Sequence, residues 1–409
     1  MGTTSFESSP FPGLSSEHIL SRLEGPLDNV RGLPNAAFTA QSFFELERDS
    51  VFSRGWSFAG RASTVPALGD IQPVWVAGQP LLMVRDTAGE VRVFHNVCPH
   101  RGARIAPEPA RGKRVIVCPY HAWTFALDGV LQSRPHYHGP GNTDYPKASD
   151  DDPPCLHEVR SAHWSDLVFV NLDGHAPPFE TYIAGIRSSW SGFDIEDIEC
   201  THYFYLDLEC NWKLAVENYC DFYHVFRVHP ALDRLLADNR RAGMFCDGAV
   251  LHNENWAEES RATMTVVDDA PTLPALGGAV EQGRRKTVFG IVFPNTAINI
   301  HRSDVQFTYF EPLAPGRTRQ HRWIYFPAAI ARNQRYREIR DRLCEDWRTV
   351  LKEDEQICES VQLGRQSKAY DGGRLAPEWD AGTRHFHRLV MQAVSRTGIF
   401  AGDGEKIAT

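Results

Sequence analysis

Apolar and polar positions recur at helical spacing over residues 38–55, FTAQSFFELERDSVFSRG, and the run stops at Gly55. From Trp56 to about Leu172 the pattern changes to short β-like runs, among them PLLMVRD, VRVFHNV, RVIVCPYHAWTFAL and DLVFVNL, separated by Gly, Pro and Asp. Asp128-Gly129 is a hairpin signal, and closely spaced short strands predict a small antiparallel sandwich. Segment 133–157 reads as a loop by composition. A linker and short helix over 173–200 lead into a second region. It has strands near 202–209, 287–301, 304–312 and 318–327, the last two joined by the turn APGR at 314–317. Helices are predicted over 211–229, 334–363 and 384–395. Residues 1–35 are polar with scattered Pro and Gly, and there is no internal repeat. The pattern divides the chain into 1–55, 56–172 and 173–409.

Composition narrows the function classes. The 409 residues exceed what one core usually supports, in keeping with two domains. At 42% hydrophobic and 23% charged the composition is that of a globular protein. A net charge of −9 without a basic block argues against a nucleic-acid partner. No apolar run reaches membrane-spanning length, and the first residues lack the pattern of a signal peptide, so a cytoplasmic location is expected. Nine cysteines in a reducing compartment point to metal ligands and buried thiols rather than a disulfide framework.

The stretch NWKLAVENYCDFYHVFRVHP, 211–230, carries the densest chemistry. On a continuous helix Asp221 and His224 share a face. His229 would lie off that direction, but the residue before Pro230 is pushed out of the α region, which lets His229 swing back toward His224. Two imidazoles five residues apart are commonly unrelated. With a carboxylate from elsewhere they form the facial triad that holds Fe(II).

A second constellation lies in the β-rich region: Cys98-Pro-His100-Arg101, then Cys118-Pro-Tyr-His121, with 17 residues between His100 and Cys118. Two Cys and two His suit tetrahedral zinc, but zinc sites usually pair like with like on each knuckle. Mixed arms suit a [2Fe–2S] cluster of Rieske type, with Cys98 and Cys118 on one iron and His100 and His121 on the other. The other seven cysteines are expected as buried thiols, and His136 and His138 as exposed. The aromatic runs Tyr203–Tyr205 and Phe307–Phe310 read as core.

Together the arms CPHRG and CPYHAWTF and the stretch NWKLAVENYCDFYHVFRVHP resemble the catalytic α subunit of Rieske non-haem iron oxygenases, nearly end to end. The resemblance implies an α+β fold, with an N-terminal Rieske β-sandwich and a C-terminal helix-grip domain built on an antiparallel sheet. It implies that His224 and His229 bind iron. It also implies that Asp221 bridges His224 to His121 of a neighbouring subunit, and that Asn218 stands near the iron. The Asn218–Asp221 spacing is closer to members acting on betaines and related amines, although those often carry Glu where this chain has Asp221. Within helix 334–363, Ile339, Leu343, Trp347, Leu351, Ile357, Cys358 and Val361 form an apolar stripe. Asp354 falls inside it, while Glu353 and Glu355 fall to its sides. A carboxylate on a buried face needs a partner, either a salt bridge or a metal. The family places its third ligand in this helix, which makes Asp354 the candidate and Glu359 the runner-up. Val350 and Trp347 share Asp354's face, and with Val225 they are candidates to line a substrate pocket.

The implied activity is that of a terminal oxygenase using O₂. Electrons come from NADH or NADPH through a separate flavin/iron–sulfur reductase or ferredoxin. The expected assembly is a homotrimer, with a small β subunit possible. An aromatic substrate is favoured, with hydroxylation or N-demethylation of a methylated amine as the alternative. A Rieske electron carrier, the non-catalytic rival, would need only the first domain.

Overall fold

The computed structural model describes residues 15–146, 154–236, 244–258 and 272–395. It comprises two compact units, Phe52–Ala176 and a larger one made of Met1–Val51 with Pro177–Thr409. The N-terminal segment, read from the sequence as 1–55, thus belongs to the larger unit as far as Val51.

Among the described residues the small unit contains three antiparallel three-stranded sheets. One joins Ser57–Arg61, Leu167–Asn171 and Arg160–Trp164, another Ile71–Val76, Gln79–Arg85 and Val91–His95. The third joins Ile116–Val117, Thr124–Phe125 and Leu131–Ser133. One core gathers Leu82, Phe94, Ile105, Phe125 and Leu131 around Cys98 and Cys118. The expected Asp128-Gly129 turn is there. Gly129 has φ +87°, and a Cβ on it would come within 2.7 Å of the Phe94 ring, so the position requires glycine on both counts. Of the expected loop 133–157, residues 147–153 lie outside the described residues. His136 and His138 are exposed, as expected.

The larger unit is built on an eight-stranded antiparallel sheet. Its order runs Ile198–Leu208, Arg317–Pro327, Val305–Ala314, Thr296–Ile300, Arg284–Val292, Val250–Glu258, Phe245–Asp247, with Val280–Glu281 paired to Arg284–Val292. The expected strand region 287–301 is two strands. The inner face packs Phe204, Ile324 and Phe326 against Ile339, Leu343 and Leu351 of the long helix Arg337–Gly364. Tyr203 and Tyr205, expected in the core, are instead 48% and 49% exposed. Their strand presents Phe204 inward, so period-two alternation puts both tyrosines outside. Of the other aromatic run, Phe307 and Phe310 are buried. In the stripe of the long helix Ile357 and Val361 are 38% and 42% exposed, because they border a cavity described below.

The predicted helix 211–229 is not continuous. Asn211 caps its start by accepting a hydrogen bond from the Lys213 N–H at 3.0 Å. The helix runs Trp212–Cys220 and stops at Asp221, whose backbone is extended. There Asp221 Oδ1 accepts the Tyr223 N–H at 2.6 Å, an Asx turn that competes with the helical ladder. A single turn, Val225–Val228, follows, and then Pro230–Leu236. The final helix spans Ala381–Val394.

One buried ion pair fastens the N-terminal helix, Gln41–Arg54, to this region. Lys213 Nζ lies 2.5 Å from Glu47 Oε1, and both side chains are wholly buried. The rings of Phe38, Phe43 and Trp212 surround the ammonium at 5.1–5.3 Å. Trp212 Nε1 donates to the other Glu47 oxygen at 3.1 Å. Lys213→Met should therefore cost about 3–5 kcal/mol in denaturant unfolding, since it strands a buried carboxylate. Lys213→Met/Glu47→Leu should regain most of that loss. If the single variant is nearly neutral, the pair does not hold the helix.

Candidate metal centres

The two cysteine arms of the small unit fold as the same tight loop. Cys98 N–H donates to Ala103 O at 2.8 Å and Gly102 N–H to Cys98 O at 2.9 Å. Likewise Cys118 N–H donates to Trp123 O at 2.9 Å and Ala122 N–H to Cys118 O at 3.0 Å. The fourth residue after each cysteine is left-handed, Gly102 at φ +73° and Ala122 at φ +55°. Cys98 and Cys118 are 2% exposed. Burial pushes the Cys98 thiol up, and the neighbouring Cys118 pushes it the same way, against backbone N–H groups of His100 and Arg101 aimed at the sulfur. The rings of His100 and His121 are 4.7 Å apart, and His100 stacks on Trp123 at 4.6 Å. Nδ1 of His121 is buried and has no hydrogen-bond partner. An orphaned imidazole nitrogen on an arm that also carries a buried thiol fits a metal cluster, because a ligated metal would satisfy the groups the fold leaves unpaired.

In the larger unit His224, His229 and Asp354 converge. Their ligand atoms all lie within 4.8 Å of one another, compact enough for one metal ion. His229 Nε2 is 2.8 Å and His224 Nε2 3.4 Å from Asp354 Oδ1, and the two nitrogens are 3.2 Å apart. Two ring nitrogens facing each other at that distance need a proton or a cation between them. The Asx turn and Pro230 make the convergence possible. Helix geometry fails at Asp221, and His229, at φ −118° and ψ 70°, has left the α region as proline demands.

Each ligand residue is held by a neighbour. Asp221 Oδ2 lies 3.3 Å from His224 Nδ1. Asn218 Nδ2 donates to Asp354 Oδ1 at 2.8 Å. Glu353 Oε2 lies 2.7 Å from His229 Nδ1. Glu353, expected to face solvent, thus reaches sideways to the second histidine; its only signal in the sequence is adjacency to Asp354. Glu359 is not part of the group: its carboxylate accepts the backbone N–H of Glu209 at 3.0 Å. Burial pulls His224 down, but hydrogen bonds to Asp221 and Asp354 outweigh it and push the imidazole up to about 9. Burial pulls Asp354 the other way, up, yet hydrogen bonds from both histidines hold it at about 2. The carboxylate is therefore ionised and carries the charge that attracts a cation.

A cavity of about 260 Å³ borders the group on the side of Asn218, Asp221 and His224, reaching Cys358, Arg365 and His387. Val225, Trp347 and Val350 do not line it. Val225 and Val350 are buried, and Trp347 stacks on His301 at 4.7 Å. Of the seven remaining cysteines, Cys210, Cys220, Cys344 and Cys358 are buried and Cys155, Cys200 and Cys246 half-buried. No helix among the described residues is long and apolar enough to cross a membrane.

Comparison with known proteins finds a family match within each unit. The Rieske [2Fe-2S] domain matches residues 55–145, and the ring hydroxylating alpha subunit (catalytic domain) matches residues 195–396. The carnitine monooxygenase oxygenase subunit of Escherichia coli (strain K12) is 28% identical over 373 residues, covering 88% of this chain and 93% of the relative. The glycine betaine monooxygenase oxygenase subunit of Pseudomonas aeruginosa (strain UCBPP-PA14) is 25% identical over 389 residues, covering 88% of each. A quaternary ammonium Rieske monooxygenase superposes with TM-score 0.73 at 24% identity, covering 93% of this chain and 98% of the other. A naphthalene 1,2-dioxygenase superposes with TM-score 0.68 at 19% identity, covering 91% and 94%, which speaks to the fold alone. With a Rieske [2Fe–2S] domain ahead of a non-haem iron domain on a single chain, the protein belongs to the Rieske non-haem iron oxygenases as a catalytic α subunit.

Proposed function

We propose that this oxygenase acts on a methylated, quaternary amine rather than on an aromatic ring. The relatives named for carnitine and glycine betaine, matched over 88% of this chain, carry this reading and displace the aromatic preference drawn from the sequence. The Asn218–Asp221 spacing supports it independently. The reaction is oxidation of an N-methyl group. With O₂, two electrons and two protons, R₃N⁺–CH₃ becomes R₃N⁺–CH₂OH and water. Collapse of the hydroxymethyl group releases R₃N, formaldehyde and a proton.

Cys98, His100, Cys118 and His121 would hold the [2Fe–2S] cluster, and His224, His229 and Asp354 the mononuclear Fe(II). When bound, the cluster supplies single electrons from a separate reductase and the Fe(II) supplies O₂ activation. The chain's own groups set the ligand geometry. Asp221 fixes the His224 tautomer by accepting from Nδ1, and Glu353 does the same for His229, leaving each Nε2 free to ligate. Asn218 holds Asp354 Oδ1 and so fixes the carboxylate's orientation. The three ligands come from two segments, 224–229 and the long helix, and three protein ligands would leave Fe(II) bound there with positions for O₂ and substrate. We further assign the working unit as a head-to-tail trimer in which Asp221 also meets His121 of the next subunit.

Metal and sulfide analysis tests the ligand sets: three irons and two sulfides per chain are expected, and zinc without sulfide overturns the reading. His224→Ala or Asp354→Ala should lose one iron and all turnover while keeping the cluster spectrum. Full activity in Asp354→Ala would move the third ligand elsewhere. The substrate is tested by O₂ uptake with a surrogate reductase: at least one methylated amine, such as carnitine or glycine betaine, should stimulate it with release of formaldehyde, and stimulation by aromatic acids alone would restore the aromatic reading.

Protons and Fe(II) compete for His224. Its pKa in the folded, metal-free protein is raised from the usual 6.5 to about 9. The stability this proton contributes is therefore fully present below pH 6.5 and is lost as pH rises through 9. Metal-free protein should lose thermal stability across that window and Fe(II) affinity should climb across it, while iron-loaded protein stays level. A flat apo-protein profile from pH 6.5 to 9 would remove the proton from the pair.

For Asp221→Asn the trimer, the iron and a reducible cluster should all survive, with cluster oxidation in single-turnover stopped-flow far slower than in wild type. An unimpaired rate would sink the route through Asp221.

A further inference from the structure

The inner face of the large sheet is unusually polar for a buried surface. Asn253, Asn255, Asn299, Gln306, Thr308 and Arg322 are each at most 2% exposed. Strand register places them together: Asn299 pairs with Gln306, and Thr308 pairs with Arg322. Several of their polar atoms have no hydrogen-bond partner, among them Arg322 Nε, Thr308 Oγ1 and Asn299 Oδ1. The buried Tyr219 hydroxyl, on the iron-side helix, is unpartnered too and feels the Arg322 charge.

Arg322 is the sharpest of these. Its guanidinium is 1% exposed, and among the described residues no carboxylate lies within ion-pair distance of it. Its one hydrogen bond runs from Nη1 to Gln306 Oε1 at 2.5 Å. Gln306 in turn donates to Asp304 Oδ2 at 2.7 Å, and that oxygen lies 3.0 Å from His301 Nδ1. The relay fixes the side chain, and the charges of Asp304 and Asp354 reach it only from beyond ion-pair distance, so the guanidinium has no direct counterion. A buried charge with no counterion is expensive, and a fold that keeps one leaves the counterion to something else.

Position indicates what that something is. The guanidinium carbon lies 5.6 Å from the centroid of the Trp347 ring. Trp347 stands two helical turns before Asp354, about 10 Å along the same helix. The cation therefore faces the interior between sheet and helix, one small molecule's length from the proposed iron ligands.

We infer that Arg322, with the Thr308 and Tyr219 hydroxyls, binds the carboxylate of a zwitterionic substrate whose methylated ammonium group lies at the iron end. This rests on the amine reading above and sharpens it: betaines that carry a carboxylate are substrates, and choline, which lacks one, is excluded. A second cation placed beside Arg322 without an anion is repelled, so the residue selects against choline as well as for the betaine.

Anaerobic calorimetric titration of the iron-loaded enzyme, without reductase, tests this apart from turnover. Wild type should bind γ-butyrobetaine or carnitine at least about 30-fold more tightly than choline, the factor expected for a buried, paired charge. In Arg322→Gln that preference should vanish. Arg322→Met should melt, ligand-free, no lower than wild type and should no longer gain thermal stability from carnitine; a purely structural arginine would give a lower melting temperature and leave the betaine preference intact. If Arg322→Gln does not fold, Thr308→Val decides, with an expected loss of several-fold for the carboxylates and none for choline. Equal binding of choline and carnitine by wild type, or equal losses for both in the variants, overturns the inference. Failure of every methylated amine to bind, with benzoate bound in an Arg322-dependent way, overturns the amine reading but leaves Arg322 as the carboxylate anchor.

Discussion

Three ligand atoms brought within 4.8 Å of one another are the constraint on which the larger unit depends. They come from segments 125 residues apart in sequence, and without a cation they hold two imidazoles against an ionised carboxylate. Every local irregularity nearby serves that convergence. The Asx turn at Asp221 ends a helix that would otherwise carry His224 and His229 apart. Pro230 turns His229 back. Asn218 and Glu353 supply hydrogen bonds from opposite sides, so that neither the carboxylate nor the second imidazole is free to rotate. The fold thus spends helix continuity on site geometry, as functional sites commonly do.

Much of this was legible in the chain. Mixed Cys/His arms at hairpin tips have few alternative explanations, and the pair His224/His229 with Asp354 on an apolar stripe has a definite chemical meaning. The break in the helix was placed too late because the periodicity of Trp212, Ala215, Val216 and Tyr219 carries no information about where it stops. The decisive event is a hydrogen bond from the Tyr223 N–H to the Asp221 side chain, which hydrophobic periodicity does not encode. Glu353 was missed because helical spacing places it beside the stripe, whereas a long, flexible side chain reaches around. Aromatic content alone puts Tyr203 and Tyr205 in the core, whereas alternation about the buried Phe204 turns both outward.

The inner sheet face shows a different limit. Its strands alternate well, yet the inward residues are asparagine, glutamine, threonine and arginine as often as valine or isoleucine. A hydropathy reading assigns such positions to solvent. Only strand pairing reveals that they face one another, because the partner of Thr308 is fourteen residues away across a turn while that of Asn299 is seven. Polar groups buried without partners are rare where stability alone is selected.

The Lys213–Glu47 pair has a consequence for how the chain comes off the ribosome. The two residues are separated by 166 positions, and the whole small unit, Phe52–Ala176, lies between them. At about 5–20 residues per second, Glu47 waits on the order of 10 to 30 s for its ammonium partner to be synthesised. During that interval the small unit is completed and helix Gln41–Arg54 has nothing to bury its carboxylate against. The larger unit therefore closes last and all at once, and a nascent chain stalled before Lys213 leaves Phe38 and, on the helix that follows it, Phe43 without their core, a natural surface for a chaperone.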